Sequence, residues 1–416
     1  MKKKLMAIVL CIVMVAAVVC VLVACDRGDY DYEITVWVGE GTKEITEQMI
    51  DTYNQNNQHG IKFKATVEIV SESKAAGNAM STPQSAADLF TFAQDQLARL
   101  VQSGVLASVL GSAQNAIIAN NDAESVESAK IGDTIRAFPM TADNGYFMYY
   151  DKSVINADHI GSLNDIIDDI KGYTDSKGIG RRFSMNVTGG WYAASFFYAT
   201  GCVSEWTTNA NGGFSNYNDT FNSANGKVAL QAMDMLFKSG VLLDSEGVSA
   251  EDFNAAIPAA VVVSGIWDYN IAKTALGNNF GVAPLPSFKV GETSYDMVSY
   301  LGHKFMGVKA QTDAEKLVYL QDLATYLTGK DCQEKRFDTV GWGPSNKDLQ
   351  AMDKVKNSEA LKALASTKTV MQGQYPTNWW SEVEALVGNV KSYGLADVDN
   401  YLNMYKNNLG ALISAQ

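Results

Sequence analysis

The chain has 416 residues, a formal net charge of −13 at pH 7, five cysteines and three histidines. That length exceeds what one hydrophobic core organises and points to two or more domains. The acidic balance weighs against nucleic acid and polyanionic ligands, and five cysteines without metal-ligand spacing give neither a disulfide framework nor a metal centre.

Lys2, Lys3 and Lys4 precede an unbroken apolar run from Leu5 to Ala24, and Cys25 closes that run. A cationic start, an apolar helix and a small residue before a cysteine make an export signal, with Leu22-Val23-Ala24-Cys25 as its lipobox. An uncleaved transmembrane anchor is the alternative, since about 20 apolar residues span a bilayer, but it leaves the position of Cys25 unexplained. The expectation is a signal over 1–24, a lipid on Cys25, a polar tether over 25–32 and a folded part outside the cytoplasm. Cys11 and Cys20 leave with the signal. Cys202 and Cys332 remain; they could pair outside the cell, but two buried, small apolar thiols are the simpler reading.

Ile34-Thr35-Val36-Trp37-Val38 reads as a strand ended by Gly39 and Gly41. Ile45, Met49, Ile50 and Tyr53 then recur at helical spacing up to the polar run from Asn54 to Gly60. Ile61 to Val70 is a second strand, with Phe63, Ala65, Val67 and Ile69 on one face. This β-α-β order predicts a parallel sheet with a right-handed crossover. Further strands are expected at 88–92, 137–140, 146–150, 183–187 and 260–263. Helices are expected at 230–239, 313–327, 358–365 and 380–393. Such alternation predicts an α/β fold with helices covering sheets. No internal repeat or low-complexity linker separates the domains, so the chain is expected to cross between two lobes several times.

Five junctions combine aromatic and polar groups. Phe92, Asp95 and Gln96 stand where a strand ends and a helix begins, the place where open α/β sheets bind ligands; taken alone, Asp95 and Gln96 also read as helix caps. Asp143 and Asn144 lie between two apolar strands, where turn chemistry is the competing explanation. Trp191 and Tyr192 follow Gly189-Gly190 and could equally be a core pair under a loop. Trp267 and Tyr269 follow Gly265, and Trp379-Trp380 follow Pro376-Thr377-Asn378. Sugar rings suit this pattern, because an apolar C–H face stacks on an aromatic plane while the hydroxyl edge needs both donors and acceptors.

Enzyme signatures are poor. His59, His159 and His303 sit in no triad context, Gly39-Glu40-Gly41 lacks the spacing of a phosphate loop, and Asp168-Asp169 fall on a charged helix face. Catalysis by two carboxylates is not testable by sequence distance, and no cofactor is expected.

The order of these motifs resembles the extracellular solute-binding proteins of carbohydrate ABC transporters, in particular the maltose/maltodextrin-binding proteins. Its anchors include Ala87-Asp88-Leu89-Phe90, Ala137-Phe138-Pro139-Met140, Tyr149-Tyr150-Asp151-Lys152, Gly265-Ile266-Trp267, Phe280 to Pro286 and Gly341-Trp342-Gly343-Pro344. The resemblance implies a periplasmic-binding-protein-like fold of two lobes sharing a hinge, with lobe 1 over 33–142 and 301–327 and lobe 2 over 143–300 and 328–416. It implies ligand contacts from Glu40 and Lys43 after the first strand, from Phe92, Asp95 and Gln96, from the hinge-side Asp143 with Asn144, and from Trp191, Tyr192, Trp267, Tyr269, Trp379 and Trp380. Gln96 stands where an arginine is usual, and Gly189 where a carboxylate is common. The implied protein is a monomeric receptor, not an enzyme. It would bind malto-oligosaccharides, sit on the outer face of the cell membrane of a Gram-positive bacterium, and serve an ABC permease. A receptor for another oligosaccharide or for a polyamine-type cation, a surface glycosidase and a glycan-tethering surface protein are the rival classes.

Overall fold

The computed structural model describes residues 30–414. The expected export signal over 1–24, Cys25 and the expected tether up to residue 29 lie outside the described residues. In chain order, the strands of the two main sheets and of a linking pair are β1 (Tyr32–Val38), β2 (Phe63–Ile69), β3 (Leu89–Ala93), β4 (Phe138–Thr141), β5 (Phe147–Asp151), β6 (Arg182–Ser184), β7 (Leu242–Leu243), β8 (Ala259–Ser264), β9 (Phe280–Ala283), β10 (Val298–Leu301), β11 (Lys304–Val308) and β12 (Lys368–Met371).

The first sheet has the order β2-β1-β3-β11-β4. β1 runs parallel to β2 and β3, as the β-α-β pattern requires, with the helix Lys43–Asn56 as the crossover. β11 is antiparallel to both neighbours, because it returns from the other lobe and inserts between β3 and β4. The apolar face expected along β2 fades toward its end: Phe63 and Val67 are buried, whereas Ile69 is 55% exposed on an edge strand. The second sheet has the order β7-β6-β8-β5-β9, with β8 parallel to β6 and antiparallel to β5. Two helix-covered sheets of this kind are the two lobes of an α/β fold.

Helices form where the apolar stripe and the caps agree. Ala314–Leu327 is capped by the Asp313 carboxylate, which accepts from the Glu315 and Lys316 N–H groups, and it buries Leu320, Leu323, Ala324 and Leu327. Trp379–Tyr393 buries Trp379, Val383, Leu386, Val387 and Val390 at three- and four-residue spacing and stops at Gly394, whose φ of 69° favours glycine.

The chain passes between lobes after Thr141, after Leu301 and before Glu359. The first two passages touch, since the Asn144 N–H donates to the Gly302 carbonyl at 2.9 Å. A Cβ on Gly145 would collide with the Tyr300 carbonyl oxygen, so only glycine lets these strands lie so close. β10 and β12 pair in parallel beside them. The stretch 328–416, expected whole in lobe 2, divides. Lys330–Val340 packs on Lys43–Asn56 and Ala314–Leu327, with the buried Arg336 guanidinium donating to the Leu327 carbonyl at 2.7 Å, and Lys354 pairs with Glu334 and Asp338 of that helix. From Glu359 on, the helices cover the second lobe. Cys202 and Cys332 are buried and unpaired with each other.

Candidate ligand-binding cleft

A cavity of about 770 Å³ lies between the lobes. The first lobe contributes strand ends and the turns after them: Glu40 after β1, Ser71 to Ser73 after β2, and Ala93, Asp95, Gln96 and Arg99 after β3. The second contributes four rings together with polar and charged groups, among them Asn186, Asp244, Glu246, Glu384 and Lys391. Trp191 and Tyr192 sit in the first turn of Gly190–Ala199, Trp267 in the turn after β8, and Trp380 in the first turn of its helix. The hinge adds Asn144, Lys304, Trp342 and Gln372. Ligands of open α/β sheets bind at such carboxyl ends of strands, and the volume falls within the range of small-ligand sites.

The rings are fixed by packing. Trp191 stacks on Tyr300 at 6.1 Å and 10° and lies 6.0 Å from Trp267. Trp380 sits edge-on to Tyr300 and Tyr375. Its Nε1 donates across the cleft to Asp95 Oδ2 at 3.1 Å. Gly190 is required beneath it, since a Cβ there would press on the Trp380 backbone.

Acids outnumber bases in the lining: Glu40, Glu72, Asp95, Asp244, Glu246 and Glu384 against Arg99, Lys304 and Lys391. Asp95 pairs with Arg99 at 3.8 Å, and burial raises its carboxyl pKa against the pull of Arg99 and Trp380. Asp244 accepts from Lys391 Nζ at 2.6 Å and from the Thr188 hydroxyl. Glu40, Glu72, Glu246 and Glu384 have no cationic partner among the described residues. Gln96 Oε1, Arg99 Nε and Trp191 Nε1 are buried without hydrogen-bond partners. A wall with donors and acceptors left open suits a ligand carrying both.

Of the residues expected here, Glu40, Asp95, Gln96, Asn144, Trp191, Tyr192, Trp267 and Trp380 line the cavity. Five do not. Phe92 pairs in register with Phe305 on the opposite face from Ala93 and Lys304, so strand alternation sends its ring into the core, fully buried against Phe305. Trp379 is also fully buried, stacked on Tyr375 at 4.2 Å, its Nε1 shared between Tyr405 and Asp219. Tyr269 turns outward onto Phe280 and Glu359. Lys43 pairs with Glu47 on the helix surface. Asp143 is buried in the hinge, its Oδ2 accepting from the Gly343 N–H.

Sequence reasoning missed Arg99, Lys304, Trp342, Asp244 and Lys391. Arg99 supplies one turn later the cation that Gln96 lacks, a displacement visible in the sequence only as an arginine three residues on. Trp342 was in plain sight in Gly341-Trp342-Gly343-Pro344 but carried no polar neighbour to mark it.

The model of a bacterial extracellular solute-binding protein family matches residues 48–363. The chain belongs to the bacterial extracellular solute-binding proteins. As a solute-binding protein it is a receptor, not an enzyme. Solved structures share its fold at low identity. The maltodextrin-binding protein MalE1 of L. casei BL23 is 20% identical with a TM-score of 0.73, covering 91% of this chain and 98% of that one. The GacH receptor of Streptomyces glaucescens, solved unliganded and with acarbose, is 16% identical with a TM-score of 0.75, covering 93% and 99%. The maltose/maltodextrin-binding domain MalE of Bdellovibrio bacteriovorus, bound to maltotriose, is 20% identical with a TM-score of 0.73, covering 91% and 99%. No curated protein matches the sequence.

Proposed function

We propose that this solute-binding protein captures malto-oligosaccharides between its lobes and delivers them to the permease of an ABC transporter. The observation that carries this reading is the mixture of rings and polar groups in one cavity: Trp191, Tyr192, Trp267 and Trp380 of the second lobe share it with carboxylates, an amide and a guanidinium of the first and with Asp244, Glu246, Glu384 and Lys391 beside the rings. A sugar uses both sides at once, its C–H face on a ring and its hydroxyl edge on the polar wall. A ligand spanning the cleft binds the closed arrangement better than the open one and shifts the population toward it. The ligands of the fold's maltodextrin- and acarbose-bound relatives support the choice of α-glucan.

The export signal and Cys25 support a lipid tether on the outer membrane face of a Gram-positive cell, where the captured sugar stays close to the permease. Labelling with a radioactive fatty acid in wild type and Cys25→Ala tests the tether. Calorimetric titration of the soluble form, residues 26–416, with maltose, maltotriose and maltotetraose tests the ligand. A saturable isotherm is expected. Silence there with a response to fructans, xylans or β-glucans would change the sugar class, and silence across all neutral glycans would overturn the reading. One observation favours a second reading: the four carboxylates without cationic partners suit a ligand with a basic nitrogen, and a spermidine arm in the same titration separates it.

A further inference from the structure

Lys304 opens β11 at the hinge. Its N–H donates to Thr141 Oγ1, and its partners across the sheet are Ala93 and Thr141. This register places the side chain on the same sheet face as Ala93, and both residues line the cavity. Only 3% of the residue is exposed.

The surroundings of its ammonium are unusual. Nζ lies 3.9 Å from the centroid of the Trp342 ring and 5.2 Å from that of Trp267. Those faces balance its charge, and the buried Asp143 acts on it at longer range. Yet no oxygen among the described residues accepts a hydrogen bond from Nζ, and no carboxylate forms an ion pair with it. An ammonium has three N–H donors and no acceptor, and the Lys304 ammonium, open to the cavity and without an acceptor on the protein, has those donors available to a ligand. Every other cation of the cavity has its carboxylate: Arg99 has Asp95, and Lys391 has Asp244.

We propose that Lys304 is a specificity-determining residue that donates to a hydroxyl or ring oxygen of the bound sugar, with Trp342 as the seat of this cation and not a stacking platform. The inference rests on the saccharide reading above and assigns a subsite within it. Charge narrows the chemistry of the group that meets Lys304. A basic nitrogen is repelled by the ammonium itself, and an anionic substituent by Glu40, Glu72, Glu246 and Glu384, which line the same cavity unpaired. A neutral oxygen satisfies both.

The test uses wild type, Lys304→Met and Lys304→Gln as soluble proteins. Calorimetry is run with maltotriose and with the strongest binder from a thermal-shift panel of neutral glycans. Melting of each ligand-free protein is recorded alongside. Lys304→Met keeps an unbranched apolar stem of nearly the same length while removing the ammonium and its donors. Its ligand-free melting temperature is expected to stay close to that of wild type, because no hydrogen bond or ion pair on the protein is lost, while its affinity falls roughly ten- to hundred-fold, the worth of a hydrogen bond from a charged donor. Lys304→Gln restores one neutral donor, keeps the test open if methionine impairs folding, and is expected to fall between the two. A lysine with only a structural role would lower the melting temperature in both variants and leave the affinity of the folded protein alone; that outcome overturns the inference and leaves the function standing. If wild type binds no neutral glycan, the function falls and this subsite with it.

Discussion

Trp380 Nε1 donates to Asp95 Oδ2 at 3.1 Å, joining the first turn of a second-lobe helix to the strand end of the first lobe. This bond lies beside the hinge-side segment, where the Tyr375 N–H donates to the Asp95 carbonyl at 3.4 Å, and it adds a side-chain link between the two walls of the cavity. Trp380→Phe keeps the ring and removes the donor. The expected result is a loss of about 1–2 kcal/mol in unfolding free energy, the scale of a bond to a charged acceptor, together with a larger radius of gyration in solution scattering. Unchanged scattering and stability would mean that the bond holds nothing.

The adjacent tryptophans should separate cleanly. Trp379 is a core residue, so Trp379→Ala is expected to cost about 3–5 kcal/mol of stability while the folded fraction keeps its ligand affinity. Trp380→Ala is expected to abolish most glycan binding with a far smaller loss of stability. Denaturant unfolding and calorimetry on both variants check this, and equal effects on the two readouts would undo the assignment.

His303 gives a pH dependence. Its ring is 1% exposed, stacked on Phe305, with Nδ1 at 2.8 Å from Gln94 Oε1. Burial lowers its pKa to about 4 from an ordinary 6.5. A histidine whose folded pKa is depressed takes up its proton more readily when unfolded. Its contribution is therefore fully present above pH 6.5 and lost as pH falls from 6.5 toward 4, amounting to about 3 kcal/mol. Asp95, Asp143, Asp219 and Asp268 have pKa values raised by burial and act in the opposite direction on acidification. The comparison that isolates the histidine is wild type against His303→Gln in urea at pH 7.5 and 4.5: the variant should lose distinctly less stability between the two.

The hinge tolerates no side chain at Gly145. Because a Cβ there would meet the Tyr300 carbonyl, backbone that cannot step aside as a side chain can, Gly145→Ala is expected to destabilise by about 1–3 kcal/mol, the usual scale of overpacking. It should also widen the lobes. Thermal melting and scattering report the two effects; a melt matching wild type would show that the hinge strands have room to part.

Cys202 and Cys332 are each 3% exposed, and burial pushes both thiol pKa values up. Neither should react with a thiol-titrating disulfide reagent in the native soluble protein, and both should react at once in denaturant. Rapid reaction of either in the native state would contradict their placement.

Part of the first-lobe wall was legible in the sequence, because strand-to-helix junctions announce themselves by local pattern: Asp95 and Gln96 follow an apolar run and line the cavity, whereas Glu72 and Arg99 beside them carried no such signal. Phe92, three residues earlier, could not be placed the same way. Which face of a strand is buried depends on its register with β11, and β11 comes from more than 200 positions later in the chain. The same holds for Trp379 and Trp380, which share a local context. Only the positions of Tyr375, Tyr405 and Asp95 decide which ring goes inward and which reaches the cleft.

What the sequence alone determined is therefore whatever depends on near neighbours: the alternation of strands and helices, and the junctions where polar and aromatic residues coincide. Tertiary structure decided what depends on distant partners. It brought Arg99 to Asp95, moved Lys330–Val340 to the first lobe, and set Lys304 on Trp342 without an acceptor. Periodicity fixes which residues can share a face, but only packing between segments far apart in the chain settles whether that face meets a core or a cavity.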